Sequence, residues 1–321
     1  MKKRIFCLAL AAALIFCLLP VGAHADTYSG ACGENLTWEL NTDTGVLTIS
    51  GTGDMTDWNG YENVPWYSYR SQIIAVNIGD GVTSIGPLAF YYCTNLADIS
   101  IPSSVTSIGR WALGYCTSLE SITIPSGMAS IGYAAFYYCT GLLSISIPSS
   151  MRSIGGNAFY SCTNLVSISI SSGVTSIGDC AFSGCTSLES INIPSSVTSI
   201  GDGVFGNCSS LVSVSIPSSV TSIGNAVFYY CTNLAGVTLS SGMTSIGDQL
   251  FANCASLESI TIPSNVASIG YKALYNCTSL GSISIPSSVT SIGNDAFSDC
   301  DILSDVYYGG SESEWNTIDM G

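Results

Sequence analysis

A period of 23 residues constrains this chain more than any other feature. Cysteine recurs at Cys93, Cys116, Cys139, Cys162, Cys185, Cys208, Cys231, Cys254, Cys277 and Cys300. A leucine follows three places after each, from Leu96 to Leu303, then an apolar pair, from Ile99/Ile101 to Ile283/Ile285. Ile-Gly closes the phrase, from Ile85-Gly86 to Ile292-Gly293, and "IPSSVTSIG" stands unchanged at 101–109, 193–201, 216–224 and 285–293. A repeat of this length is one unit of a stack: alone it buries only part of its apolar edge, and the next unit completes the burial.

Each part of the unit has a local reading. "SLESITI" alternates, so it is a short strand with Ile122 and Ile124 inward and Ser121 and Thr123 outward. Pro125 has no amide to give a ladder and closes that strand. "VTSI" turns Val105 and Ile108 inward after the corner, and the glycine that follows is expected to adopt positive φ. Ala89, Phe90 and Cys93 have the spacing of one face of a short helical turn. By this reading the repeated phrase is frame, and function belongs in the variable slots between its copies.

Residues 26–72 break the period. "LTWELNTDTGVLTISGTGDM" reads as a hairpin turned at Asp43-Thr44-Gly45, and "VPWYSYRSQI" as the start of a short helix with Pro65 early. This segment is expected to cap the first core layer of an open stack. Residues 73–305 are the repeats, and 306–321 form a C-terminal segment in which Val306 and Tyr308 take the strand positions.

The first 25 residues read as a secretory signal peptide: Lys2, Lys3 and Arg4, an apolar run, then the A-x-A site Ala23-His24-Ala25. No other apolar stretch approaches the ~18 residues of a membrane span. Cleavage leaves Arg70, Arg110, Arg152 and Lys272 against 22 acidic residues, which disfavours nucleic acid and anionic membranes as partners. It also removes His24, the single histidine, and with it Ser-His-Asp, Cys-His and His-ligated zinc chemistry. No cofactor and no metal is expected.

The units C-T-x-L-x-S-I-x-I-P-S-S-V-T-S-I-G resemble those of the BspA-like leucine-rich repeat proteins of bacteria. Leu119-x-x-Ile122-x-Ile124 fits the first half of the general leucine-rich consensus, whereas Pro125 and the cysteine ahead of the strand depart from its second half, as that family does. The expected fold is therefore an α/β repeat solenoid: a leucine-rich-repeat right-handed superhelix with short parallel strands, about ten repeats and an N-terminal β-hairpin cap. The resemblance implies secretion or display at the bacterial cell surface. It also implies a non-catalytic, adhesin-like role toward an extracellular protein or glycan. The alternatives are a structural surface or matrix repeat protein, and a repeat module of a larger secreted protein.

Several features invite sharper chemistry. The cysteine column lacks the close pairs of zinc sites and reads as small buried thiols; Cys180 stands outside it and is the most accessible. Asp43-Thr44-Gly45 copies the aspartic-protease triplet, but no second copy exists to share a proton with it. Glu120, Glu189 and Glu258 share one slot but lie three repeats apart, too far for a glycosidase pair. The aromatics carry the strongest signal. Tyr91, Tyr92, Tyr115, Tyr137, Tyr138 and Tyr160 fill outward slots just before the cysteine, with Trp111 and Tyr133 nearby, whereas later repeats place mostly Ser, Gly, Ala, Asn or Asp there, with Tyr229-Tyr230 and Tyr275 as islands. Such rings are common anchors of binding sites. The competing reading is that they stack on one another and stabilise the column. A second candidate surface is the Ser/Thr lattice on the outward face of the strands.

Overall fold

The structure is a computed structural model that describes residues 26–321. The expected signal peptide, 1–25, lies outside the described residues. The chain winds into a stack in which each 23-residue turn has three legs around one continuous apolar core. Among the described residues no helix is long and apolar enough to cross a membrane.

The first leg is the expected strand in most turns, but in "SLESITI" and its equivalents three and six turns on it is reduced to an isolated bridge at Ser121, Ser190 or Thr261. Ser144–Ile147 pairs in parallel with Ser167–Ile170, each residue facing its equivalent one turn on. Ile145 and Ile147 are buried and the serines between them are exposed. The corner serine of the repeated phrase then closes a bond between turns: the hydroxyls of Ser104, Ser196 and Ser219 donate to the carbonyls of Val82, Val174 and Val197 at 2.6–2.7 Å. These carbonyls would otherwise be orphaned at the corner. The second leg is a two-residue Ser-Ile ladder, as in the pairing of Ser153–Ile154, Ser176–Ile177, Ser199–Ile200 and Ser222–Ile223.

Two local expectations change here. The glycine after each Ile is absent from the positive-φ residues; close approach between turns selects it instead. A Cβ at Gly132 would lie 2.8 Å from the Arg110 amide nitrogen, and one at Gly178 2.6 Å from that of Gly156. The third leg is a run of tight turns, not a helical turn. Two residues per unit sit at positive φ, for example Trp111 (57°) with Tyr115 (62°) and Asn157 (54°) with Ser161 (55°). Alternating hand points every second amide along the stack, so Trp111, Leu113 and Tyr115 donate to the carbonyls of Tyr133, Ala135 and Tyr137. An α-helix would spend those amides within its own turn. Ala89, Phe90 and Cys93 are buried as expected, but on a chain bonded to its neighbours. The described α-helix is the single turn Glu312–Trp315.

The core is layered by identity. Phe136, Phe159, Phe182, Phe205, Phe228 and Phe251 stack at centroid separations of 5.2–5.8 Å, all fully buried. Beside them, each column cysteine from Cys116 to Cys300 donates its S–H to the carbonyl of the Phe or Leu 26 residues earlier, as Cys208 does to Phe182 at 3.2 Å. This is why a small apolar side chain with a weak donor fits the slot. All cysteines among the described residues are free.

At the N-terminal end, β1 (Thr27–Ala31), β2 (Leu36–Asn41) and β3 (Val46–Gly51) form an antiparallel meander, and β3 continues in parallel into Ala75–Ile78. β1 was not legible in the sequence. Gly45 takes φ 66° in the β2–β3 turn, so Asp43-Thr44-Gly45 is a hairpin turn. Pro65 precedes a 3-10 helix, Tyr67–Gln72. Trp66 donates its indole N–H to the Ala89 carbonyl at 2.6 Å and stacks on Phe90, joining the meander to the first repeat. At the other end Asp305–Tyr308 and Asp319–Met320 extend the two ladders.

Candidate functional site

The eight candidate aromatics belong to the third legs of four successive turns, and the structure brings all of them into one network. Slots one turn apart superpose. Tyr92 stacks on Tyr115 (4.3 Å, 5° from parallel), Tyr115 on Tyr138 (5.1 Å, 15°) and Tyr137 on Tyr160 (4.9 Å, 7°). Trp111 lies edge-on to Tyr91 and Tyr133 and tilted against Tyr137 at 4.6 Å. Tyr91 meets Tyr92 and Tyr115 at right angles. Positive φ at Tyr92, Trp111, Tyr115 and Tyr138 holds these side chains outward.

Stacking uses up most ring faces, so the ridge offers solvent its edges and phenol hydroxyls. Tyr92 is 42% and Tyr133 52% exposed, and the other six are half-buried. Burial, reinforced by the phenol of Tyr92, pushes Tyr115 up to about 12, and burial likewise raises Tyr91 and Tyr137. The hydroxyls are therefore neutral donor–acceptors at physiological pH. Tyr133 accepts a hydrogen bond from the Asn157 amide at 2.9 Å.

The ridge extends beyond the candidates. Tyr61, 44% exposed, packs on Tyr91 at 5.7 Å and on Tyr67 at 5.2 Å, and the Arg70 guanidinium lies 4.1 Å over the Tyr67 ring. Residues 26–72 have no repeat phase, so no sequence signal aligns Tyr61 with the ridge. Tyr229 and Tyr230 form a separate pair, and Lys272 sits over Tyr271 and Tyr275 further along.

Past the ridge, the slot held by Tyr133 carries an acid and amide ladder. Asp179, Asp202, Asn225 and Asp248 each accept the backbone N–H of the equivalent residue one turn on, at 2.6–2.9 Å. The 23-residue recurrence of Asp and Asn was a signal in the sequence for this column. Cys180 lies beside it. Burial raises its thiol, and Asp179 and Asp202 raise it further, so the site opposes a reactive thiolate.

The Ser/Thr lattice is divided into groups of three turns. The strand ladder pairs 75–77 with 98–100, 144–147 with 167–170 and 213–215 with 236–238. No pairing joins 100 to 121, 170 to 190 or 238 to 259. The unit after each gap carries Glu120, Glu189 or Glu258, so the 69-residue recurrence of that glutamate marks the grouping. Two shallow grooves of about 490 and 510 Å³ occupy equivalent places, lined by the strands around Ser144–Ser146 and Ser213–Ser215. Three turns at 4.7–4.9 Å each put the glutamates about 14–15 Å apart, beyond the reach of a carboxylate pair.

The chain matches the family described as the BspA type leucine rich repeat region, in six copies, over residues 66–189 and 175–304. Among solved structures it is similar to a leucine rich cell surface protein from Faecalibacterium prausnitzii A2-165, with 28% identity over 92% of this chain and 98% of that one and a TM-score of 0.47. It is also similar to a leucine-rich repeat protein from Eubacterium ventriosum ATCC 27560, with 24% identity over 89% and 96% of the two chains and a TM-score of 0.55. The second likeness bears on the fold alone. A leucine-rich repeat protein from Bacteroides ovatus ATCC 8483 matches at 25% identity over 85% and 93%, with a TM-score of 0.47. No curated protein matches the chain.

Proposed function

The chain belongs to the BspA-type leucine-rich repeat family, and on that premise we propose that it is a bacterial binding protein working outside the cell, adhesin-like and non-catalytic. The observation that carries this reading is the concentration of aromatics in four successive turns, where eight rings form one network, while Tyr229, Tyr230 and Tyr275 hold the same slots later only as islands. The frame does not require those rings. In later turns Ser183, Asn207 and Asn253 occupy the same slots, and the backbone follows the same path. Partly exposed Tyr and Trp, held rigid by their neighbours, lose little entropy on binding. The signal-peptide pattern of residues 1–25 supports an extracellular place of action.

The partner under this reading is a protein or glycan met by ring edges and hydroxyls. An acidic surface disfavours polyanions. The test is to immobilise the chain and screen extracellular-matrix proteins and glycans, beside a variant with Tyr91, Trp111, Tyr115, Tyr137 and Tyr138 changed to Ser and shown to fold. Saturable binding lost in the variant supports the reading and locates the site. Binding kept by the variant moves the site to the Ser/Thr face. Absence of binding by either form favours a structural surface or matrix role.

A further inference from the structure

Three of the tyrosine contacts have a property that recognition does not use. Tyr92, Tyr115 and Tyr138 occupy one slot of successive turns, and Tyr137 and Tyr160 occupy another. Slots repeated by the solenoid are related almost by translation, and the rings are within 5–15° of parallel. Near-translation sets each ring atom about one ring separation from its equivalent in the next ring, the carbon ortho to the hydroxyl included. At 4.3 Å the Tyr92–Tyr115 pair is close to van der Waals contact.

Most competing oxidisable side chains are withdrawn from the surface, the exceptions being the part-exposed Cys180 and Cys300 and the exposed Met320. The column thiols from Cys93 to Cys277 are buried, as are Met55, Met128, Met151 and Met243, so a bulky oxidant does not reach them. Trp111 contacts Tyr91, Tyr133 and Tyr137 and can pass an oxidising equivalent on to them. The phenols are partly exposed.

We propose that these in-register pairs are an oxidative cross-linking site, where a peroxidase-type one-electron oxidant with hydrogen peroxide joins adjacent turns by dityrosine bonds. Each phenol of a pair loses one electron and its hydroxyl proton. The two radicals couple, forming a carbon–carbon bond between equivalent ortho carbons. The hydrogens on those carbons pass to the phenol oxygens as the rings regain aromaticity. One peroxide takes up the two electrons and two protons and leaves as two waters. The product is a covalent staple across one turn of the stack, and its chemistry stands apart from any ligand of the ridge.

The experiment treats the dilute, purified full chain with lactoperoxidase and hydrogen peroxide. The expected result is dityrosine fluorescence, a mass lighter by two hydrogens per bond, and a chain that stays monomeric on a denaturing gel. Trypsin cuts after Arg70, Arg110, Arg152 and Lys272 and reports which pair reacted. A Tyr92–Tyr115 bond joins peptides 71–110 and 111–152, a Tyr137–Tyr160 bond joins 111–152 and 153–272, and a Tyr115–Tyr138 bond closes a loop within 111–152. Tyr115→Phe keeps the stacked ring and is expected to leave only the second of these, and Tyr160→Phe to remove it. Folded chain is expected to yield several-fold more intramolecular bond than chain unfolded in urea. Equal yield in urea, bonds mainly between chains or at Tyr307, or no loss of hydrogens would each overturn the proposal.

Discussion

Replacing Phe205 by alanine tests whether the stacked rings are the spine of the fold. Phe205 is fully buried, with the rings of Phe182 and Phe228 at 5.8 and 5.6 Å on either side. Deleting a buried Phe costs about 3–5 kcal/mol, and each lost ring pair adds about 0.5–1.5 kcal/mol where its area is not already counted. The upper part of that range applies here because the cavity cannot collapse. Phe182 and Phe205 are held at turn spacing by their own amides, bonded to Val204 and Val227 at 3.0 and 2.9 Å. Leucine is the control, since Leu113 and Leu274 fill this slot in other turns, fully buried. Phe205→Leu is expected to cost only about 1–2 kcal/mol, the loss of a few buried carbons. Urea unfolding followed by circular dichroism reads both, as midpoint shifts at unchanged slope. Nearest-neighbour coupling predicts that exchange protection falls first in the turns flanking residue 205. Alanine and leucine variants within about 1 kcal/mol of each other would refute this account of the core.

Backbone hand gives a pair of opposite effects two residues apart: Ala134→Gly relieves a φ of 55° and is expected to stabilise by up to about 1 kcal/mol. Gly132→Ala sets a Cβ 2.8 Å from the Arg110 amide and is expected to cost about 1–3 kcal/mol, both read by thermal unfolding. Ser219→Ala orphans the Val197 carbonyl and is expected to cost about 1–2 kcal/mol, with local loss of exchange protection at that corner. Burial pushes the thiols of Cys139 and Cys185 from 9.0 up to about 12. Their contribution to stability is thus complete below pH 9 and is lost as pH rises from 9 toward 12, because the unfolded chain gives up those protons first. Urea midpoints across that window check the sign, and thiol labelling of folded chain near pH 8 is expected to leave the buried thiols from Cys93 to Cys277 unmodified. A midpoint that rises with pH would contradict it.

Much of the candidate site was legible because the repeat makes residues equivalent. The slots of Tyr92, Tyr115 and Tyr138 are 23 apart, so any stack must superpose them, and the structure does. The 69-residue recurrence of Glu120, Glu189 and Glu258 was equally present in the sequence, but the gap in the strand ladder that coincides with it depends on pairing between different turns. Tyr61 was out of reach, since a segment without phase finds its place only through packing on Tyr91.

The sequence by itself determined the unit, its phase and its inward face. Alternation and period specify which side chains share a column, and burying Ile, Leu, Phe and Cys leaves one arrangement that hides them all. Tertiary structure decided how those equivalents touch. Turn spacing, close backbone approach at Gly132 and amides given to the neighbouring turn impose positive φ on residues such as Trp111 and Tyr115. The same spacing brings tyrosines face to face and turns their edges to solvent. The physical reason is that periodicity encodes equivalence within a single strand of chain, whereas distance and hand arise only when two turns bond to each other.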